Sequence, residues 1–222
     1  MRNKIAVILL VLVLASLSHA ESYGLFYDFS GAFRNFTMGV SFGVGPSGLI
    51  GEEDVYDADW SSWDFNVSFN AAFPLAKEVV LVASVGFSIW NFRSEYDYLH
   101  RTVNDFVYVR SLEFSMLLDA FTTEHFFIGI GPNIRIPFIQ ESVLFDGRST
   151  FSGSPDYARN LWLNVDVTLG VKYGTVELGL KSGYEVLGFY KETQKFKKLD
   201  MHEFRAILYL SYWFGYWIND NR

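Results

Sequence analysis

Cysteine is absent from this chain, and that removes several possibilities together. No disulfide framework, thiolate metal centre or lipidated N-terminal Cys can form. Cohesion must come from packing and backbone pairing. Positive charge is in deficit, with 18 Lys+Arg against 25 Asp+Glu, which argues against a nucleic-acid partner, since that would need a basic face. Long apolar runs are scarce too. The one candidate, Ile5–Leu17, is shorter than the roughly 20 residues a membrane-spanning helix requires.

That apolar run has a different explanation. Arg2 and Lys4 precede it and Ser18-His19-Ala20 follows it, the pattern of a secretory signal with a small-x-small cleavage site. Residues 1–20 are therefore read as a signal peptide, with a mature chain starting at Glu21. Cleavage removes two basic residues and no acidic ones, taking the formal charge from −7 to −9. Residues 21–35 are read as a periplasmic lead-in, 36–217 as one folded unit and 218–222 as a C-terminal tail. No linker marks a second domain.

Aromatic residues, by contrast, make up 18% of the chain, an excess that needs a reason. Trp63–Phe73 supplies the pattern. Trp63, Phe65, Val67, Phe69, Ala71 and Phe73 alternate with Asp64, Asn66, Ser68, Asn70 and Ala72. Successive side chains of a strand point to opposite faces, so this is a strand with one apolar and one small, polar face. The same alternation predicts strands over Phe36–Val44, Val79–Trp90, Phe106–Asp119, His125–Phe138, Asn160–Lys172, Thr175–Leu187 and His202–Tyr216. Arg110 falls on an apolar face, and a bulge near Val109 would correct that. Pro132 and Pro137 predict local distortion. Short connections at Pro74–Glu78, Ala120–Glu124 and Tyr173-Gly174 alternate with long polar ones at Gly45–Ser62, Asn91–Asp105, Ile139–Arg159 and Gly188–Met201. The fold class is all-β, an eight-stranded antiparallel up-and-down barrel.

Two barrels fit amphipathic strands. A soluble lipocalin-like barrel turns its apolar faces inward, and a transmembrane barrel turns them to lipid. The polar faces decide between them. Phe36–Gly45, Phe65–Phe73 and Val79–Trp90 carry no charge, and a face of Gly, Ser, Asn and Thr makes a poor soluble exterior but suits a narrow lumen. Aromatics gather near predicted strand ends, with Trp60, Trp63, Trp90, Phe92, Phe106 and Tyr108 at one end. Phe73, Phe121, Phe126, Tyr212, Phe214 and Trp217 lie at the other, giving the two belts expected at membrane–water interfaces. Closure of an even number of strands also leaves no open sheet edge in lipid.

On topology, signal and alternation from Phe36 to about Tyr216, the chain resembles the small eight-stranded outer-membrane barrels of Gram-negative bacteria, the type of the outer membrane protein A transmembrane domain. That resemblance implies a cell outer-membrane location, with outer-membrane lipid and the barrel-insertion machinery as partners, and a monomer. Members of the group usually end in an aromatic residue. Here Tyr212-Trp213-Phe214 and Tyr216-Trp217 are followed by Ile218–Arg222.

Charges on the polar faces are few and of both signs. Glu113, Arg135, Asp166, Glu177, Lys181, Glu185 and Arg205 are predicted to form a lumenal ion-pair network. If Tyr173-Gly174 is a two-residue hairpin loop, Asp166 faces Lys181 directly, and Glu113 or Arg135 extends the pair across the lumen.

Other motifs carry less. Gly43-Val-Gly-Pro-Ser-Gly48 spells GxGxxG, but Pro46 and the acidic stretch beyond it do not open a helix. Glu52, Glu53, Asp54, Asp57 and Asp59 make an acidic loop without EF-hand spacing, read as solvated. His202-Glu203 suggests a base and its orienter, but no serine has a recognisable nucleophile context, and the histidines, with His100 and His125, are read as loop and interfacial residues. No catalytic, cofactor or metal residues are assigned. The expected function is a non-enzymatic structural or surface-interaction barrel working through four extracellular loops. The alternatives are a barrel enzyme or narrow transport protein and, further off, a soluble ligand-binding barrel.

Overall fold

A computed structural model describes residues 36–50, 57–58, 62–98, 101–145, 150–153, 160–188 and 202–214. The expected signal peptide, the lead-in and the 218–222 tail lie outside them. Ten strands run in chain order: β1 Thr37–Ile50, β2 Asp57–Ala58, β3 Ser62–Ala76, β4 Val79–Tyr98, β5 Arg101–Phe121, β6 Phe126–Phe145, β7 Thr150–Gly153, β8 Trp162–Tyr173, β9 Val176–Glu185 and β10 His202–Trp213. Eight of them close a barrel. Each long strand pairs antiparallel with its chain neighbours, and β1 pairs with both β3 and β10. The short strands β2 and β7 attach to β4 and β6. No helix occurs among the described residues.

The barrel is inside out relative to a soluble one. On β3, Trp63, Phe65, Val67 and Phe69 are exposed, whereas Asp64, Asn66, Ser68 and Asn70 are buried. The same split holds on β8, where Val167 and Leu169 point out and Trp162, Asn164, Asp166 and Thr168 point in. Polar side chains are inside because the apolar rows face a hydrocarbon solvent. Backbone pairing closed upon itself is the form in which strands cross that solvent. This is a transmembrane β-barrel of the outer-membrane type, apolar outside and polar within.

Several local expectations need correction. Asn91–Asp105 is not a long loop, because β4 and β5 continue as a paired hairpin from Asn91↔Tyr108 to Tyr98↔Arg101. Pairing persists there after the hydrophobic alternation stops, since a ladder beyond the membrane needs no apolar face. Strand β1 likewise runs on to Ile50 and β6 to Phe145. The irregularity expected near Val109 does occur in the β5–β6 ladder, between Arg110 and Ser111, but no extra residue on β5 turns Arg110 inward. The β4–β5 register is uninterrupted, Val109 points inward and Arg110 stays on the outer surface. The irregularity lies across the ladder on β6, where Arg110 pairs with Ile139 but Ser111 pairs with Pro137, leaving Phe138 extra. Pro132 also marks a break, since β5–β6 pairing skips from Ser115↔Asn133 to Leu118↔Ile130. A proline has no N–H to give to a ladder.

The hairpin after β8 is shifted as well. Its two turn residues are Gly174 and Thr175, so Tyr173 pairs with Val176. Gly174 has φ 58°, a left-handed value that glycine takes without strain, and it occupies the first loop position rather than the second. The register therefore slides by two residues. Every side chain keeps its predicted face, but each partner changes.

The aromatic belts are also fewer than expected. Trp63, Tyr108, Tyr212 and Phe214 are exposed, but Trp90 and Phe121 are buried inside the barrel. Trp60, Trp217 and the side chain of Phe92 lie outside the described residues.

Candidate functional site

The lumen of an eight-stranded barrel is only wide enough for its own side chains, and here they fill it in layers. Nearest the short turns is an apolar layer of Ala72, Val80, Val82, Leu117, Phe121, Phe127 and Trp213. The rings of Phe121 and Phe127 lie 5.2 Å apart. At its border Glu177 accepts a hydrogen bond from Trp213 Nε1 at 3.0 Å, and the Lys172 ammonium sits 5.0 Å from the centre of the Trp213 ring. A cation over an aromatic face is attracted by the ring quadrupole, which suits an ammonium withdrawn from water.

Above this floor is a small polar cavity of about 30 Å³, lined in part by Ser68, Asn70, Asp119, Thr168, Lys181 and Tyr209. That is room for a water molecule or two among polar groups. Thr168 Oγ1 donates to Asp119 at 3.3 Å.

Towards the long loops comes the charged layer, organised by two fully buried arginines. Arg205 lies 2.7 Å from Glu113 Oε1 and 3.1 Å from Asp166 Oδ2, and its Nη1 is 3.5 Å from Asp64. Arg135 places Nε 2.8 Å from the same Glu113 oxygen and Nη2 3.3 Å from Asp64, and it also pairs with Glu203. Its Nη2 donates to Ser88 Oγ at 2.9 Å. Asn66 and Asn133 donate to Glu113 and Asp166, both at 2.8 Å. Trp90 and Trp162 pack edge to face at 5.6 Å, with the Arg135 guanidinium 5.9 and 5.3 Å from their ring centres. Isolated buried charges are costly, and this arrangement is supported because each arginine meets several carboxylates and Glu113 and Asp166 take further donors.

Backbone detail makes the central pair possible. Asp166 and Arg205 both pair with Gly183, on the strand between them. A Cβ on Gly183 would stand 2.5 Å from Asp166 Oδ1 and 2.8 Å from Arg205 Nε. Glycine there lets the two side chains meet across β9.

Of the residues expected in one network, Glu113, Arg135, Asp166 and Arg205 come together in the charged layer. Glu177 belongs instead to the turn end, with Lys172. Glu185 serves the last long loop, where it accepts the N–H groups of Leu187 and Gly188 at 2.7 and 2.6 Å. The expected Asp166–Lys181 pair does not form. Asp166 faces Gly183 and binds Arg205, while Lys181 faces Thr168 and lines the cavity. The two-residue register slide is the cause.

Asp64 and Glu203 are charged-layer members that the sequence reading missed. Both occupy inward positions of their strands' alternation, but Asp64 immediately precedes the charge-free stretch Phe65–Phe73, and Glu203 follows His202, beside which it suggested an orienter. His202 Nδ1 lies 2.7 Å from the Glu185 carbonyl oxygen, and its ring stacks on Tyr184. Glu203 turns instead to Arg135, so these neighbours do not act as a base and its orienter. His125 sits at a turn against Tyr173, the ring centres 4.2 Å apart. Gly43, Gly45 and Gly48 all lie within β1, so they cradle nothing at a helix start. His100, Glu52, Glu53, Asp54, Asp59 and the side chain of Asp57 lie outside the described residues. Among those described, no group of three or more His, Cys, Asp or Glu gathers as a metal-ligand set.

No family model matches the chain, and no curated protein matches it. Solved structures do. Ail, the attachment invasion locus protein of Yersinia pestis, is similar over 80% of this chain and 98% of its own, at 12% identity and a TM-score of 0.47. Neisserial surface protein A matches 79% of this chain and 96% of its own, at 11% identity and a TM-score of 0.42. The outer membrane protein OprG of Pseudomonas aeruginosa matches 81% and 96%, at 9% identity and a TM-score of 0.38. At these values the likenesses carry nothing about activity.

Proposed function

We propose that this chain is a non-enzymatic outer-membrane barrel with a structural or surface-interaction role, working through the extracellular segments at its long-loop end. The observation that carries this reading is the filled lumen. An apolar layer and a layer of fully buried ion pairs lie in series across it, leaving no continuous polar path among the described residues. The chain reaches the envelope on the signal at residues 1–20, residues 21–35 lead into the barrel, and the short turns face the periplasm. Its partners are outer-membrane lipid and, during assembly, the barrel-insertion machinery, and it is a monomer. The lumenal charges are plugs and struts rather than a catalytic set.

The test is conductance in planar bilayers. The folded chain is expected to give no steady single-channel current at moderate voltage in 1 M salt, taken here as an order-of-magnitude condition at which charge screening is nearly complete. Reproducible unitary currents would overturn the plugged reading in favour of a narrow transport protein.

A further inference from the structure

The charged layer does not balance. Its fully buried carboxylates are Asp64, Glu113, Asp166 and Glu203, against the two arginines Arg135 and Arg205. Two negative charges are in excess. Across the whole described lumen the imbalance has the same sign, because Asp119, Glu177 and Glu185 are set against Lys172 and Lys181. An uncompensated carboxylate held out of water is costly, so such a surplus has to be met by something.

A second, independent observation locates where. Ser47 Oγ, Asp64 Oδ1 and Glu203 Oε2 are fully buried and have no hydrogen-bond partner among the described residues. The sheet sets the three residues on adjoining strands at the loop end of the lumen. Ser47 lies on β1, between β3 and β10, paired with Ser62 on one side and Arg205 on the other. Asp64 and Glu203 are each two residues from those partners on the same inward face, Asp64 level with Gly45 and Glu203 level with Leu49, so they flank Ser47 diagonally from opposite sides. Diagonal neighbours of this kind lie about 7–8 Å apart at the backbone. Asp64 and Glu203 are also tied by their other oxygens to the two terminal nitrogens of one guanidinium, Arg135. That common anchor draws the carboxylates towards each other.

We infer that Ser47, Asp64 and Glu203 bind a divalent, oxygen-seeking cation of the Ca²⁺ or Mg²⁺ class in the loop-end half of the lumen. Two carboxylate oxygens and a hydroxyl are hard donors, and such cations accept mixed sets of carboxylate, neutral oxygen and water. A charge of +2 matches the surplus. Water alone would satisfy the free oxygens but leave the imbalance, and a chloride or phosphate would worsen it. The cation acts as a third strut beside the two arginines and ties β1 to β3 and β10.

The experiment uses the full folded chain, stripped with a chelator and then titrated with Ca²⁺, Mg²⁺ or Na⁺ at constant ionic strength. Urea unfolding is followed by the gel mobility shift between folded and unfolded barrel. A ligand that binds only the native state at a hundredfold excess over its dissociation constant raises the folded-to-unfolded ratio about 100-fold. The expected result is a saturable rise of that kind with a divalent ion and none with Na⁺. Asp64→Asn and Glu203→Gln should remove it, and Glu177→Gln, in the turn-end layer, should retain it. Ser47→Ala keeps every charge and should fold, so a weaker apparent affinity in that variant separates a built site from general screening. The inference is overturned by an absent divalent effect or by an equal effect in all variants. It also fails if stability without divalents simply rises as pH falls and ignores cations, because protons would then supply the missing charge. Conductance is untouched by either outcome, so the plugged-barrel reading is tested separately.

Discussion

Replacing Arg135 by Met is the most informative single change to this lumen. The side chain is fully buried, and its guanidinium meets Glu113 at 2.8 Å, Asp64 at 3.3 Å and Glu203. Methionine retains much of the aliphatic stem and its packing against Trp90 and Trp162 but leaves the carboxylates short of a partner. Removing one member of a buried, hydrogen-bonded ion cluster costs about 3–5 kcal/mol, most of it the uncompensated charge that remains. With a urea slope of about 2 kcal/mol per M, the unfolding midpoint should fall by roughly 2 M. The assay is urea unfolding in detergent micelles, read by the gel mobility shift. Asp64→Asn in the same background removes one stranded charge and should restore part of the loss, giving a coupling of about 0.5–3 kcal/mol. A single-variant loss below about 1 kcal/mol with strict additivity in the double variant would refute the hub role of Arg135, since surface substitutions are of that order.

Three further outcomes follow from the same packing. In urea unfolding, Lys181→Met should cost clearly less than Arg205→Met, because Arg205 and not Lys181 holds Asp166; a reversal would restore the unshifted hairpin register. Gly183→Ala should destabilise the barrel by about 1–3 kcal/mol in the same assay, the usual cost of forcing atoms into a filled space, whereas a neutral effect would show that the Asp166–Arg205 pair does not need the gap. Phe69 is 70% exposed on the outer wall, so Phe69→Arg should cost about 2–4 kcal/mol in lipid bilayers if it lies near the midplane, measured by unfolding from vesicles. Indifference would place that face in water.

Strand existence, side-chain facing and the inside-out arrangement were all readable in the sequence, because one period-two pattern encodes all three. Phe65, Val67 and Phe69 need no partner to declare their face. What the pattern does not encode is the partner. A shift of two residues preserves every facing, so the turn at Gly174-Thr175 moved Asp166 from Lys181 to Gly183 without leaving a trace in hydrophobicity. Pairing outside the membrane was equally hidden. From Asn91↔Tyr108 to Tyr98↔Arg101 the backbones stay paired, so polar residues that read as a loop are strand. Trp90 shows a third limit. An aromatic near a strand end suits either a lipid interface or a lumen, and only its parity with Ser88 and Gly86 points inward. The same parity places Asp64 with Asn66 and Glu203 with Arg205 on the inward face, although both carboxylates stand at strand margins where the alternation is weakest.

Spin labelling along β3 tests the central claim, the inverted barrel, most directly. The chain has no cysteine, so each introduced thiol from Phe65 to Asn70 is the sole attachment point and needs no background correction. In lipid vesicles, labels at Phe65, Val67 and Phe69 should collide freely with oxygen dissolved in the bilayer. Labels at Asn66, Ser68 and Asn70 should be immobilised and shielded, which gives a period of two across the strand. Loss of that period, or its reversal with the even positions open to lipid, would contradict a barrel whose apolar side faces the membrane.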